Sequence, residues 1–247
     1  MSRPQNVCVY CGKPGRSREH YWGKWLSKLL NSSATMTDHF LTHFDLESGT
    51  YINKLGPLTR QGGIHRQQIK APCRACNSGW MKKANERARP TIERLAFEGP
   101  WEMTEAERAS FARWAVLMSM TYEFADLVTV VTTQEERDRL RCNLTPPDHW
   151  GVFIAPYSGG AWTERHNHRA LALLEGENAF PYQAKSQTNA FVIGKTFVNT
   201  VSGLFSQIDA ASYGSAFGVM VVWPLVSAIA VPPITDDGIE RLLNLQT

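Results

Sequence analysis

The sequence predicts an α+β protein: a small N-terminal unit over residues 1–94, then a helical segment and a mainly antiparallel β body within residues 95–247. Three observations predict it. Four of the five cysteines fall in two CxxC pairs inside the first 80 residues. Through the middle of the chain, apolar residues recur at helical spacing. After Pro146-Pro147 they form short apolar or alternating runs separated by Gly, Asn and Pro, the pattern of strands. With 247 residues, 43% of them hydrophobic and 20% charged, the chain is long enough to bury a sizeable core.

In chain order, Trp25, Leu26, Leu29 and Leu30 in "WGKWLSKLL" fall at helical spacing and predict a short amphipathic helix. "HFDLESGTYINKL" alternates on both sides of Glu47-Ser48-Gly49-Thr50 and predicts a hairpin with Gly49 in its turn. "TRQGGIHRQQIKAP" reads as a basic loop leading into another strand. A helix is expected from Asn77 through "SGWMKKANERA", with Pro90 ending or kinking it. Thr104 and Glu107 form a capping-box pattern ahead of Phe111, Trp114, Ala115, Met118 and Tyr122 at helical spacing. "TQEERDRLRCN" is acidic at its start and basic at its end, as a helix dipole favours. Strands are expected in "HWGVFIAPY", "RALALLEG", "NAFVIGKTFVNTV" and "SAFGVMVVWPL". A short closing helix begins at Asp236-Asp237 and carries Leu242, Leu243 and Leu245. His166-Asn167-His168 reads as a polar turn, and Cys142 as a small buried hydrophobe. Trp22, Trp25 and Trp80 are expected to pack the small unit, and Trp114, Trp150 and Trp223 the body.

The net charge of +3 conceals an asymmetry. Residues 1–94 hold 16 Lys/Arg against 6 Asp/Glu, a difference of +10, and the rest hold 10 against 17, a difference of −7. An excess of this size is the electrostatic footprint of a phosphate-backbone binder. Lys13, Arg16, Arg18, Lys24, Arg60, Arg66, Lys70, Arg74, Lys82 and Lys83 are the candidate backbone contacts. His39, His43 and His65 read as strand or loop surface. No apolar run is long enough to span a bilayer, and "MSRPQNVCVYCG" lacks a signal-peptide h-region, so a cytoplasmic setting with reduced thiols is expected.

Cys8-Val-Tyr-Cys11 and Cys73-Arg-Ala-Cys76 each turn two thiolates toward one point, and together they complete the tetrahedron that Zn²⁺ prefers. Disulfides or a redox CxxC are the other readings of the same residues. Gly12 suits the turn after the first pair, and the second pair leads directly into a helix, the order of elements of a treble clef. A site closed by four thiolates has no open position for substrate, so any chemistry lies elsewhere. Glu19-His20 follows the first pair and Asn77 directly follows the second. A carboxylate and an amide oxygen suit Mg²⁺ or Mn²⁺, and a neutral imidazole beside them can take a proton from water.

The pattern CxxC, acidic-His, CxxC-Asn resembles the HNH (ββα-metal) endonucleases, most closely the zinc-containing treble-clef branch that includes the phage endonuclease VII. "SREHYWGKWL" and "CRACNSGWMKK" also look like uncharacterised bacterial and phage HNH-type proteins; the likeness covers residues 8 to about 86. It implies Cys8, Cys11, Cys73 and Cys76 as a structural zinc site, Glu19 and Asn77 as ligands of a catalytic Mg²⁺ or Mn²⁺, and His20 as general base. The implied activity is phosphodiester hydrolysis of nucleic acid, DNA by preference, in a phage, mobile-element or antiphage-defence setting. The body is left to position DNA, bind a protein partner or form a homo-oligomer. The middle Asn of the family usually stands about five residues before the second CxxC; Gln68 stands there in this chain, after a long insertion. A non-catalytic zinc-binding treble clef that binds nucleic acid or protein is the alternative.

Overall fold

The computed structural model describes residues 6–20, 22–26, 36–45, 50–61, 68–97, 99, 101–163, 165–174, 184–203, 209–226 and 230–245. Two three-residue strands, β1 (Arg18–His20) and β4 (Gln68–Lys70), pair antiparallel and bracket a long hairpin of β2 (Met36–Asp45) and β3 (Thr50–Gln61). The hairpin predicted from "HFDLESGTYINKL" is present and longer than that stretch. Its turn at Gly49 lies outside the described residues, as do positions 27–30 of the predicted amphipathic helix, His65 and Arg66.

The second CxxC begins helix α1 (Arg74–Cys76), which passes through a π-helical turn, Asn77–Met81, into α2 (Lys82–Phe97). Pro90 neither ends nor interrupts α2. The buried stripe of Ala84, Ala88, Ile92 and Leu95 runs past it. Pro90 and Glu86 are both exposed, so water can satisfy the Glu86 carbonyl that the proline leaves without a helical donor.

Helix α3 (Glu105–Tyr122) starts at the predicted capping box, with Thr104 and Glu107 satisfying each other's backbone N–H. Helix α4 (Gln134–Asn143) repeats the device with Thr133 and Glu136. Beyond it come β5 (Trp150–Pro156), β6 (His166–Leu174), β7 (Ala184–Ile193), β8 (Thr196–Ser202), α5 (Ala210–Phe217), β9 (Met220–Trp223) and α6 (Asp236–Leu245). Residues 210–217 coil before β9 because Asp209 caps Ser212 N–H and Gly218, at φ +63°, closes the far end; only the last part of "SAFGVMVVWPL" is a strand.

One seven-stranded sheet runs in the order β3-β2-β6-β7-β8-β5-β9, antiparallel except where β2 lies parallel to β6. Val152 and Ile154 of β5 belong to the core that holds Phe111 and Trp114 of α3, whereas Phe153 and Ala155 share a second core with Tyr213, Leu242 and Leu243. A strand buried on both faces reads in sequence as an unbroken apolar run, as "WGVFIAP" does.

The first of these cores also contains Tyr10 and Trp22 from the N-terminal unit, with Trp25 and Trp80 packed against it and Trp22 6.2 Å from Phe191 between ring centres. Trp114 and Trp150 are buried in the same core, and Trp223 is half-buried at its edge. The boundary at residues 94/95 falls inside α2, and the sheet takes strands from both sides of it. It marks a change of charge, not a break in the fold. No described helix is long and apolar enough to cross a membrane.

Two further expectations are corrected. His166-Asn167-His168 is the fully buried start of β6, not a polar turn. His166 and His168 donate ring N–H groups to Asn189 Oδ1 on β7, at 3.2 and 2.9 Å, and His166 stacks on Tyr122 at 3.6 Å. Burial drives their pKa values down to about 3 and about 4, so both rings are neutral. Cys142 is exposed: only Leu140 of α4 is buried, and Cys142 lies off that face.

Candidate functional site

Two backbone turns aim the cysteines. Gly12 takes φ +68° and donates its N–H to Cys8 O at 2.9 Å, while Cys8 N–H reaches Lys13 O at 2.8 Å, so the first pair sits on a tight loop that glycine permits. Cys73 is the N-cap of α1, its sulfur 3.4 Å from Cys76 N–H. Burial opposes ionisation of Cys73, but that N–H and the neighbouring sulfurs outweigh it and bring the thiol to about 7. The four sulfurs lie within 4.8 Å of one another, and Cys11 and Cys73 stand 3.7 Å apart. A tetrahedron with Zn–S bonds of about 2.3 Å has edges of about 3.8 Å. The donor set and its spacing thus fit one metal ion such as Zn²⁺.

The loop is docked on the body at three points. Tyr10 Oη lies 2.6 Å from Thr121 Oγ1, Arg137 Nε donates to Val9 O at 2.8 Å, and Gln134 Nε2 donates to Tyr10 O at 3.4 Å. Within the N-terminal unit, the Tyr10 ring meets Trp80 edge to face at 5.3 Å. Arg137 is in turn 3.8 Å from the fully buried Glu123 carboxylate.

Beside this frame, Glu19 and Asn77 meet. The Asn77 side chain lies close enough to the Glu19 carboxyl to oppose the rise in its pKa, and both line an open cleft of about 290 Å³ with Gly23, Trp25 and the α2 residues Lys82, Glu86 and Arg89. Burial raises the Glu19 pKa to about 7, against the lowering effect of Asn77. A cation held there would restore the ionised form, since an opposite charge favours it.

His20 stands on the other side of the strand. Successive residues of a strand face opposite ways, so Glu19 and its cross-strand neighbour Ile69 turn toward the helix, and Arg18, His20, Gln68 and Lys70 turn outward. His20 does not line the cleft; its Nε2 meets Gln68 Nε2 at 2.9 Å across the β1–β4 pair. Burial, followed by the charge of Lys24, lowers its pKa and keeps the ring neutral at pH 7.

The predicted phosphate contacts divide. Arg18 and Lys70 are exposed on the outward face with no ion-pair partner among the described residues, and Arg74 and Lys83 are exposed on the helices. Arg16 is half-buried and donates from Nε to Val7 O at 2.5 Å, bracing the cysteine loop. Lys82 lies 3.6 Å from Glu86. Arg60 lies in β3 opposite Thr37.

Trp25 and Arg89 were not anticipated in the cleft, where the guanidinium lies 5.3 Å from the indole centre. A signal existed: Ser78, Lys82, Asn85, Glu86 and Arg89 recur at i, i+4, i+7, i+8 and i+11, a polar stripe opposite the buried one. Asn85 is occupied, donating to Met81 O at 3.0 Å and accepting from Trp114 Nε1 at 3.1 Å. Comparison with family models, with curated proteins and with solved structures returns no match.

Proposed function

We propose that the chain is a metal-dependent endonuclease of HNH type, with a treble-clef zinc site that shapes the module and takes no part in the chemistry. The observation that carries the reading is the meeting of Glu19 and Asn77 at the cleft beside the four cysteines, with His20 one residue away on the same strand. A carboxylate and an amide that can present its oxygen suit Mg²⁺ or Mn²⁺, and an open cleft leaves room for the waters such ions keep. A divalent ion held by Glu19 and Asn77 would supply charge neutralisation at the phosphate and the leaving 3′ oxygen.

In phosphodiester hydrolysis the attacking water and the leaving oxygen stand on opposite sides of phosphorus. Adjacent strand residues whose side chains diverge can serve those two sides: His20 takes the proton from water on one, Glu19 and Asn77 act on the other. Arg18 and Lys70, flanking His20 on the outward face, would hold the neighbouring phosphates.

Cleavage of supercoiled plasmid, branched DNA and RNA, with and without Mg²⁺ or Mn²⁺, tests this. His20→Ala is expected to lose about 10²–10⁴ in rate while keeping its fold. A His20→Ala protein that nicks as fast as the parent sinks the proposal. Nucleic-acid binding without metal-dependent cleavage would favour the non-catalytic treble clef.

A further inference from the structure

Helix α4 holds the first cysteine turn with one end of its side chains and a buried carboxyl with the other. Val9 and Tyr10 are the two residues between Cys8 and Cys11, and α4 takes both of their carbonyls: Arg137 Nε donates to Val9 O at 2.8 Å and Gln134 Nε2 to Tyr10 O at 3.4 Å. The Val9 N–H donates to Ala71 O at 3.2 Å, which ties the same turn to the segment that carries Cys73. Arg137 also donates from Nη1 to Thr132 O at 2.6 Å and to Thr132 Oγ1 at 3.1 Å. From there the bonds run inward. The fully buried Glu123 carboxyl, 3.8 Å from Arg137, accepts the Val131 and Thr132 N–H groups at 2.9 and 3.1 Å and Gln187 Nε2 at 3.1 Å. Gln187 in turn accepts from Asn189, the residue that holds both buried histidines of β6. Burial pushes the Glu123 pKa up to about 8, and the two N–H groups and the Arg137 charge work against that rise. Thr132 immediately precedes Thr133, the cap of α4, so Glu123 also fixes the start of the helix that grips the cysteine turn.

We propose that Arg137 and Glu123 form a latch that couples metal occupancy of the four cysteines to the order of the body. A bound metal fixes the Val9 and Tyr10 carbonyls where α4 can hold them. Losing it removes what keeps four sulfurs within 4.8 Å, so the turn relaxes, Arg137 is freed on one side, and the bonds around Glu123 slacken on the other. A guanidinium suits this role because its rigid fork bonds several acceptors at once, whereas an ammonium is a single point of charge. Coupling of this kind is reciprocal: a change at Glu123 that metal loss would cause must, when made directly, weaken metal binding by the same factor. The four-thiolate site thereby acts as a metal-responsive switch whose state is read in the sheet, at Gln187 and Asn189.

The test uses the full-length reduced protein, with zinc and after its removal by a chelator. Competition against a chromogenic chelator reads zinc affinity, amide hydrogen exchange at Val131 and Thr132 reads the order of the body, and thermal unfolding confirms that each zinc-loaded variant folds. In the parent, zinc removal is expected to speed that exchange by at least about tenfold. Glu123→Gln keeps the shape and bonds to no atom of the cysteine turn, yet is expected to weaken zinc binding about three- to tenfold. A brace confined to Val9 O would leave its affinity unchanged. Arg137→Lys keeps the charge and loses the fork; it is expected to bind zinc about tenfold more weakly and to show exchange at Val131 and Thr132 that changes by less than about twofold on zinc removal. Arg139→Lys, on the same helix but paired with Asp148, is the control and should match the parent throughout. Parental zinc affinity in Glu123→Gln, or exchange in the parent that ignores zinc removal, overturns the inference. Should Glu123→Gln fail to fold, Arg137→Lys decides alone, and a parental zinc affinity and exchange response in that variant overturn it. A parent that binds no metal overturns the metal site and the latch together. None of these readouts is cleavage, so the outcome is independent of the nuclease reading.

Discussion

Cys11→Ser tests the metal frame most directly. Cys11 is the half-buried member of the cluster, and its sulfur stands 3.7 Å from Cys73, close to the tetrahedral edge of about 3.8 Å set by Zn–S bonds of about 2.3 Å. A serine hydroxyl fills nearly the same space but stays protonated near neutral pH and is a poor ligand for Zn²⁺. Structural zinc sites of four ligands contribute roughly 10–16 kcal/mol, so one ligand is worth about 3–4 kcal/mol. That corresponds to about 10²–10³ in zinc affinity. The turn that carries Cys11 survives, because Gly12 N–H and Cys8 N–H bond to backbone oxygens, so the loss is one of coordination. With zinc saturating, the folded chain should lose a similar 3–4 kcal/mol, a large part of the roughly 5–15 kcal/mol that stabilises a domain. The assay is zinc per chain by atomic absorption, zinc competition against a chromogenic chelator, and thermal unfolding under reducing conditions. Cys142→Ser, outside the cluster and exposed, is the control and should change none of these. A Cys11→Ser protein that holds one zinc as tightly as the parent, or a parent whose Tm survives complete zinc removal, refutes the reasoning.

Two other predictions bear on the scaffold. Gly194, at φ +56° in the β7–β8 turn, lies so close to Ala96 O at the end of α2 that a Cβ would overlap it; Gly194→Ala should cost roughly 2–4 kcal/mol by urea unfolding, and an unchanged midpoint would show that the close approach does not matter. Glu136 is opposed by burial, but His149, Thr133 and Trp150 hold its pKa down to about 2 from an ordinary 4.5. Its folded pKa is depressed, so its stabilisation is present above about pH 4.5 and lost as pH falls toward 2. Discounted for partial exposure, this is about 2 kcal/mol. Glu136→Gln should be less stable at pH 6 and lack that part of the acid slope; an unaltered pH profile would contradict the assignment.

What could be read from sequence was what depends on near neighbours. Thr104 and Glu107 are three residues apart, and the stripe from Phe111 to Tyr122 is one helix face, so α3 follows from local rules. The cysteines were legible because a metal demands fixed residue types at fixed spacing. Pro90 misled because its cost depends on where the freed carbonyl points, and here that is water. His166 and His168 misled because Asn189, which makes their burial tolerable, belongs to another strand. The role of Asn85 had no local signal, because Trp114, which donates to its Oδ1, belongs to another helix. The pairing of Gln68 with His20 required the β1–β4 register, set across a long insertion.

That insertion also sets an order of assembly. The β2–β3 hairpin leaves the site's first strand and returns to its last, yet its partner in the sheet is β6, ending at Leu174. All four thiolates have been synthesised by Cys76, roughly a hundred residues before Leu174. At about 5–20 residues per second, a ribosome needs on the order of 5–20 s to make that stretch. During this interval the metal can be captured while the hairpin still lacks β6, its neighbour in the sheet. The four cysteines are thereby expected to be able to gather a metal ion before the strand that flanks the hairpin has been made.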